Sequence, residues 1–200
     1  MKTSYVKLAS VLMHNGLSKK FSRYRSIVFD LDGTLINLGV DWDGLKGELN
    51  QTFQRRYGMD VSFHPLSAGL KQLDGRLGPA GTQEAYSVIR RFEAVSVLSA
   101  RLLPGRRELV SDLFIKGKRL SIFSSNLHIT VDRALYRFAL TPYFSVVVGG
   151  DDVTNHKPSL QGLNRIQEML GLRSEDTAYV TDSPEMVERC KQGGIDTFLL

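Results

Sequence analysis

The sequence predicts an α/β protein: a doubly wound, Rossmann-like parallel sheet of five strands, with a small helical cap inserted after the first strand. Three observations carry this. Five short apolar runs, at 26–29, 120–123, 145–148, 178–181 and 197–200, read as strands buried on both faces. Helical periodicity separates the later runs, an alternation that builds a parallel sheet with right-handed crossovers. From about Leu38 to Arg101 no strand pattern occurs, so a helical block interrupts the rhythm. At 200 residues with 42% hydrophobic content, the chain has material for one core plus such an insertion. No apolar run approaches the roughly 20 residues that span a membrane.

Residues 1–24 form a basic N-terminal arm or an extra helix. Six basic residues and no acidic one precede Asp30, whereas the rest holds twenty basic and twenty-one acidic residues. The pI of 9.4 therefore belongs to this segment. The nearly neutral body argues against a nucleic-acid partner. Tyr5, Leu8, Ala9 and Leu12 share one helical face, the pattern of a packed helix. An acid-poor transit peptide is the competing reading, while Lys7 interrupts the apolar stretch a secretory signal needs. The expected location is cytoplasmic, or organellar if the arm is a transit peptide.

The core is expected over 25–37 and 102–200. Its first strand runs into Asp30 and Asp32 in RSIVFDLDGTL. Residues i and i+2 of an extended chain point the same way, about 6–7 Å apart, so both carboxylates face one pocket. Two such groups repel unless a cation or a shared proton offsets the charge, and a hard cation such as Mg²⁺ takes oxygen ligands. Gly33 permits the sharp turn and close ligand approach. The bland alternative is a polar turn at Asp32-Gly33.

The cap is expected over 38–101, with helices at 43–57 and 82–101. Tyr86, Ile89, Phe92 and Val95 set the period of the second, and Gly75, Gly78, Pro79 and Gly81 mark breaks before it. An insertion at this point sits over the carboxyl ends of the strands, where open α/β sheets bind ligands. It carries Arg55, Arg56, Arg76, Arg90 and Arg91; one of these is a candidate for an anionic substrate tail, though arginines on helices are more often solvated.

Three more strand ends carry chemistry. After 120–123 come Ser124-Ser125-Asn126, a hydroxyl and free N–H groups for a phosphate oxygen, or alternatively a helix N-cap. After 145–148 the loop Gly149–Pro158 holds Lys157, fixed before a proline and suited to a pocket anion. After 178–181 stands Asp182, a further carboxylate for the cation. Helices at 109–115, 131–140, 163–170 and 186–192 complete the alternation, with the single cysteine, Cys190, expected as a small buried residue of the last. One cysteine excludes internal disulfides and cysteine-rich zinc sites. Asn50-Gln51-Thr52 matches a glycosylation acceptor without an export signal to support it.

These four motifs, in this order, resemble the haloacid dehalogenase-like superfamily, whose phosphatase branch carries D-x-D-x-T-L, then S/T, then K-P, then G-D-S. The likeness runs from about Arg25 to Leu200; YFSVVVGGDDVTNHKP (143–158) and LLPGRRELVSDL are close to phosphoglycolate phosphatases. The resemblance implies Asp30 as nucleophile and Mg²⁺ ligand. It makes Asp32 the general acid and base, with its main-chain carbonyl also on the metal. Ser124, helped by the amide of Ser125, binds the phosphoryl group beside Gly33; Lys157 neutralises phosphate and nucleophile; Asp182 coordinates Mg²⁺. The implied substrate is a small phosphorylated metabolite. Thr181 stands where the family usually has Gly, and Met186, beside Glu185, where it usually has an acid. A sugar phosphomutase with the same residues, and a non-catalytic binding or regulatory member, are the competing readings. Nothing in the sequence fixes the oligomeric state.

Overall fold

The computed structural model describes residues 20–200 and divides into two compact units, residues up to Asn37 together with Arg101–Leu200, and Leu38–Ala100. The reading of residues 1–19 as arm, helix or transit peptide lies outside the described residues.

The first unit is built on five parallel strands: β1 (Ser26–Phe29), β4 (Arg119–Phe123), β5 (Phe144–Val148), β6 (Thr177–Thr181) and β7 (Asp196–Leu199). Their spatial order is β5-β4-β1-β6-β7, all parallel, so β1 lies at the centre. Ile27, Val28 and Phe29 are wholly buried, as a strand covered on both faces requires. Phe29 pairs with Ile122 on one side and Val180 on the other. The ladder runs one residue past the strand: Asp30 N–H donates to the Val180 carbonyl at 2.8 Å, and Ser124 N–H to the Val148 carbonyl at 3.0 Å. These two bonds seat Asp30 and Ser124 on the sheet's carboxyl edge.

Helices fill the crossovers: α3 (Arg106–Ile115), α4 (His128–Arg137), α5 (Gln161–Leu170) and α6 (Pro184–Gln192). One face of the sheet shares an apolar cluster that includes Val28, Phe123, Tyr179, Leu163, Ile166, Met186 and Cys190. Cys190 is fully buried there. Two-residue strands β2 (Ile36–Asn37) and β3 (Arg101–Leu102) pair antiparallel at the two ends of the insertion, Asn37 opposite Arg101. That pair is too short for any period and was not expected from the sequence.

The second unit is helical. Helix α1 (Trp42–Tyr57) starts at Asp41, whose carboxylate accepts from Gly44 N–H at 3.0 Å, and stops at Gly58 in the left-handed region. It buries Leu45, Leu49 and Phe53, spaced by four. Helix α2 spans Leu66–Ser99 and is broken at Gly78 (φ 66°), just before Pro79. Its first segment, 66–77, is a correction to the sequence reading, which began this helix at 82. Arg56 pairs with Glu84 at 2.7 Å and Arg91 with Glu48, so the two helices are bridged by exposed ion pairs. Arg55 donates to Gln51 in its own helix, and Arg76 and Arg90 are exposed. Among the described residues, no helix is long and apolar enough to cross a membrane.

Candidate active site

Asp30 is the centre of the site. Its Oδ1 accepts from Leu31 N–H at 2.8 Å. Its Oδ2 lies 2.7 Å from Lys157 Nζ and accepts from Tyr179 OH and Thr181 Oγ1, each at 3.2 Å. The register explains the two hydroxyls. Phe29 faces Val180, so the next pair along, Asp30 and Thr181, shares a face with Val28 and Tyr179.

Lys157 comes from the loop between β5 and α5 and is almost wholly buried. Its Nζ sits 4.7 Å from the Phe123 ring centroid and 5.5 Å from that of Tyr179, a cation over two aromatic faces. Its approach to Asp30 is an ion pair, and its hydrogens find no well-aligned protein acceptor. Burial pushes the Lys157 ammonium below the usual lysine range, against the pull of Asp30 and Asp182. Burial likewise holds the Tyr179 phenol well above its ordinary value, reinforced by Asp30, so it is a neutral donor. An ammonium in this setting is suited to an anion.

The turn after β1 is tied down from several sides. The Leu31 carbonyl accepts from the amides of Thr34, Leu35 and Ile36, and Gly33 N–H donates to the Ile36 carbonyl. Arg106 Nε donates to the Thr34 carbonyl at 2.8 Å. Thr34 Oγ1 in turn donates to Asp182 Oδ1 at 3.2 Å. Gly33 has φ +76°, and a Cβ there would lie 2.0 Å from Asp182 Oδ2. The Asp182 carboxylate therefore rests directly on the turn, in space only glycine leaves. Gly33→Ala is expected to cost about 1–2 kcal/mol from the left-handed backbone alone and to push Asp182 aside. Thermal melts and calorimetric Mg²⁺ titration check this, with weaker metal binding expected beyond the loss of stability.

Two further expected residues have partners within their own loops. Asp32, half-buried, forms an isolated bridge with Ile36. Ser124 is buried, but its hydroxyl donates to Asn126 Oδ1 at 3.0 Å and accepts from Asn126 N–H at 3.1 Å. It is not a helix cap, since α4 begins only at His128. Its loop is packed against the Gly149-Gly150 turn: Gly150 N–H donates to the Asn126 carbonyl at 2.7 Å, and a Cβ on Gly150 would lie 2.4 Å from the Ser125 carbonyl oxygen. Sequence reasoning missed Tyr179 as a site residue and treated Thr181 only as a departure. The available signal was their i, i+2 spacing on the strand beside β1.

The pattern of the haloacid dehalogenase-like hydrolases matches residues 27–200, which contain all these groups. The chain belongs to that family. The hydrolase is 28% identical over 177 residues to the pyrophosphatase PpaX of Halalkalibacterium halodurans, covering 86% of this chain and 81% of the relative. It is 28% identical over 178 residues to the phosphoglycolate phosphatase of Aquifex aeolicus, covering 88% and 84%. Among solved structures, a HAD-superfamily hydrolase of subfamily IA, variant 1, from Geobacter sulfurreducens superposes with a TM-score of 0.58 at 18% identity, over 88% of this chain and 87% of that one. The last is a likeness of fold. The hydrolase falls among phosphatases, as its motifs implied.

Two positions of the hydrolase depart from the family's usual residues, and the structure accounts for where their side chains go. Thr181 is fully buried and donates to Asp30. Met186 is 2% exposed and joins the apolar cluster, while Ser183 caps α6 by accepting from Met186 N–H and Glu185 points to solvent. Methionine at this position is thus a core residue.

No three His, Cys, Asp or Glu side chains group into a metal site among the described residues. Mg²⁺ asks for less: it is held by one or two carboxylates and keeps much of its water. Asp30 on the strand end and Asp182 resting on the Asp32–Gly33 turn supply hard oxygens of that kind, so the donor set fits the ion.

Proposed function

We propose that the hydrolase is a Mg²⁺-dependent phosphatase that cleaves a small phosphate monoester through a phosphorylated Asp30, with phosphoglycolate as its leading substrate. The observation that carries this reading is the buried Asp30 carboxylate held 2.7 Å from the Lys157 ammonium. A carboxylate meeting a phosphate must overcome like-charge repulsion, and a desolvated ammonium beside it offsets that charge.

Mg²⁺, held by Asp30, Asp182 and the main-chain carbonyl of Asp32, would neutralise charge on the phosphoryl group. The remaining work belongs to side chains. Asp30 attacks phosphorus as the ester oxygen leaves. Asp32 gives that oxygen a proton, then takes one from the water that attacks the phosphorylated enzyme. Lys157 holds the phosphoryl charge, and Ser124 with the Ser125 amide binds a phosphoryl oxygen, which requires the Ser124 hydroxyl to turn from Asn126. Phosphoglycolate is favoured by the Aquifex aeolicus relative and by the sequence of the Lys157 loop.

The test is inorganic phosphate release from phosphoglycolate, other monoesters and pyrophosphate, with Mg²⁺ and with a chelator. Mg²⁺-dependent release, greatest for phosphoglycolate, is expected. Transfer of phosphate between sugar positions without net release would assign a mutase instead. Ester binding without turnover would leave a binding protein.

A further inference from the structure

The hydroxyls of Tyr179 and Thr181 have no role in the steps above, yet both are buried and both donate to the same oxygen, Asp30 Oδ2. Thr181 is fixed in turn, since its Oγ1 accepts from Ser183 N–H at 3.1 Å. Two hydroxyl donors and the Lys157 charge thus meet Oδ2, against one donor, Leu31 N–H, on Oδ1. We take Oδ1, the oxygen with fewer partners, as the one that bonds to phosphorus.

We propose that the Tyr179 and Thr181 hydroxyls are positioning groups that speed breakdown of the phosphorylated enzyme. The inference rests on the phosphatase reading. In breakdown, the oxygen of water bonds to phosphorus and its proton passes to Asp32. The bond from phosphorus to Asp30 Oδ1 breaks, and its electron pair returns to the Asp30 carboxylate. Negative charge thus reappears on a group whose other oxygen already faces two fixed hydroxyls. In the acyl phosphate that oxygen is an uncharged carbonyl and a weaker acceptor. The donors therefore bind the product carboxylate, and the transition state leading to it, more strongly than they bind the phosphorylated form. Lys157 also serves the incoming phosphate; the two hydroxyls belong to the wall of the core.

The experiment compares wild type with Tyr179→Phe, Thr181→Val and the double variant, turning over para-nitrophenyl phosphate with Mg²⁺. Acid quenching followed by intact-protein mass spectrometry reads the phosphorylated fraction. Each lost hydroxyl is expected to slow breakdown about tenfold. The phosphorylated fraction rises, and kcat and KM fall together because breakdown becomes limiting. Thr181→Ser, which keeps the hydroxyl, restores the wild-type fraction. An unchanged fraction and breakdown rate in folded Tyr179→Phe and Thr181→Val overturns the inference, whatever happens to their melting temperatures. Phosphate release with no phosphoryl group on any form overturns the covalent route and the inference with it. A wild type that neither takes up nor releases phosphate overturns the phosphatase reading as well, and is distinguished because every form is silent.

Discussion

Asp30→Asn is expected to abolish turnover, lowering kcat by about 10³-fold or more, while the protein stays folded. The amide has nearly the shape of the carboxylate, and its one carbonyl oxygen can take the place of Oδ2, accepting from the Tyr179 and Thr181 hydroxyls, or of Oδ1, accepting from Leu31 N–H, but not both. It has no charge with which to attack phosphorus, and it contributes no anionic oxygen to a metal. The substitution also leaves the Lys157 ammonium buried without its partner, so some loss of stability accompanies the loss of activity. Circular dichroism separates the two by showing how much protein is folded at the assay temperature. A folded Asp30→Asn protein turning over at the wild-type rate would reject Asp30 as nucleophile.

Lys157→Met is expected to act on both activity and stability. Methionine spares the packing against Phe123 and Tyr179 and removes the charge. Loss of the ammonium paired with Asp30 is expected to lower kcat about 10²–10³-fold. The side chains of Lys157 and Asp30 are only 9% and 12% exposed, so solvent screens their interaction weakly. Breaking such a pair from one side costs about 3 kcal/mol, at the low end of the range because Asp30 keeps its hydroxyl and amide donors. The double variant Asp30→Asn/Lys157→Met should recover part of that loss. A double-mutant cycle by urea denaturation measures the coupling. Additive effects would show that the two groups do not interact in the folded protein.

The chemistry of this site was legible in the sequence to the extent that it sits at strand ends. Ile27-Val28-Phe29 announces a buried strand, and a carboxylate straight after it is unusual enough to point at function. The same holds for Asp182 after β6. The Asp30–Lys157 pairing joins residues far apart in the chain, so the sequence supplied the two groups but not their distance. Tyr179 and Thr181 were harder to see. A tyrosine in an apolar run reads as core, which Tyr179 also is; only the register of β6 against β1 turns its hydroxyl into a donor for Asp30.

Elsewhere the misreadings have local causes. Leu66, Leu70, Leu73 and Leu77 carry a helical period, but the glycines among and after them suggested breaks. Gly81, read as one of those breaks, lies inside the helix against the Leu77 side chain, where a Cβ would fall 2.6 Å from Leu77 Cβ. A glycine chosen for packing looks in sequence like one chosen for a turn. Ser124 presents the opposite case: its residue type suits a helix cap, but three residues intervene before α4 begins at His128.

The antiparallel pairing of Asn37 with Arg101 means that Leu38–Ala100 leaves and rejoins the core through facing residues. A detour anchored this way makes no demand on the pairing of β1 with β4 and β6, whatever its length or internal design. The segment between them can therefore be lengthened, trimmed or replaced in related chains without a shift in the register of the central sheet.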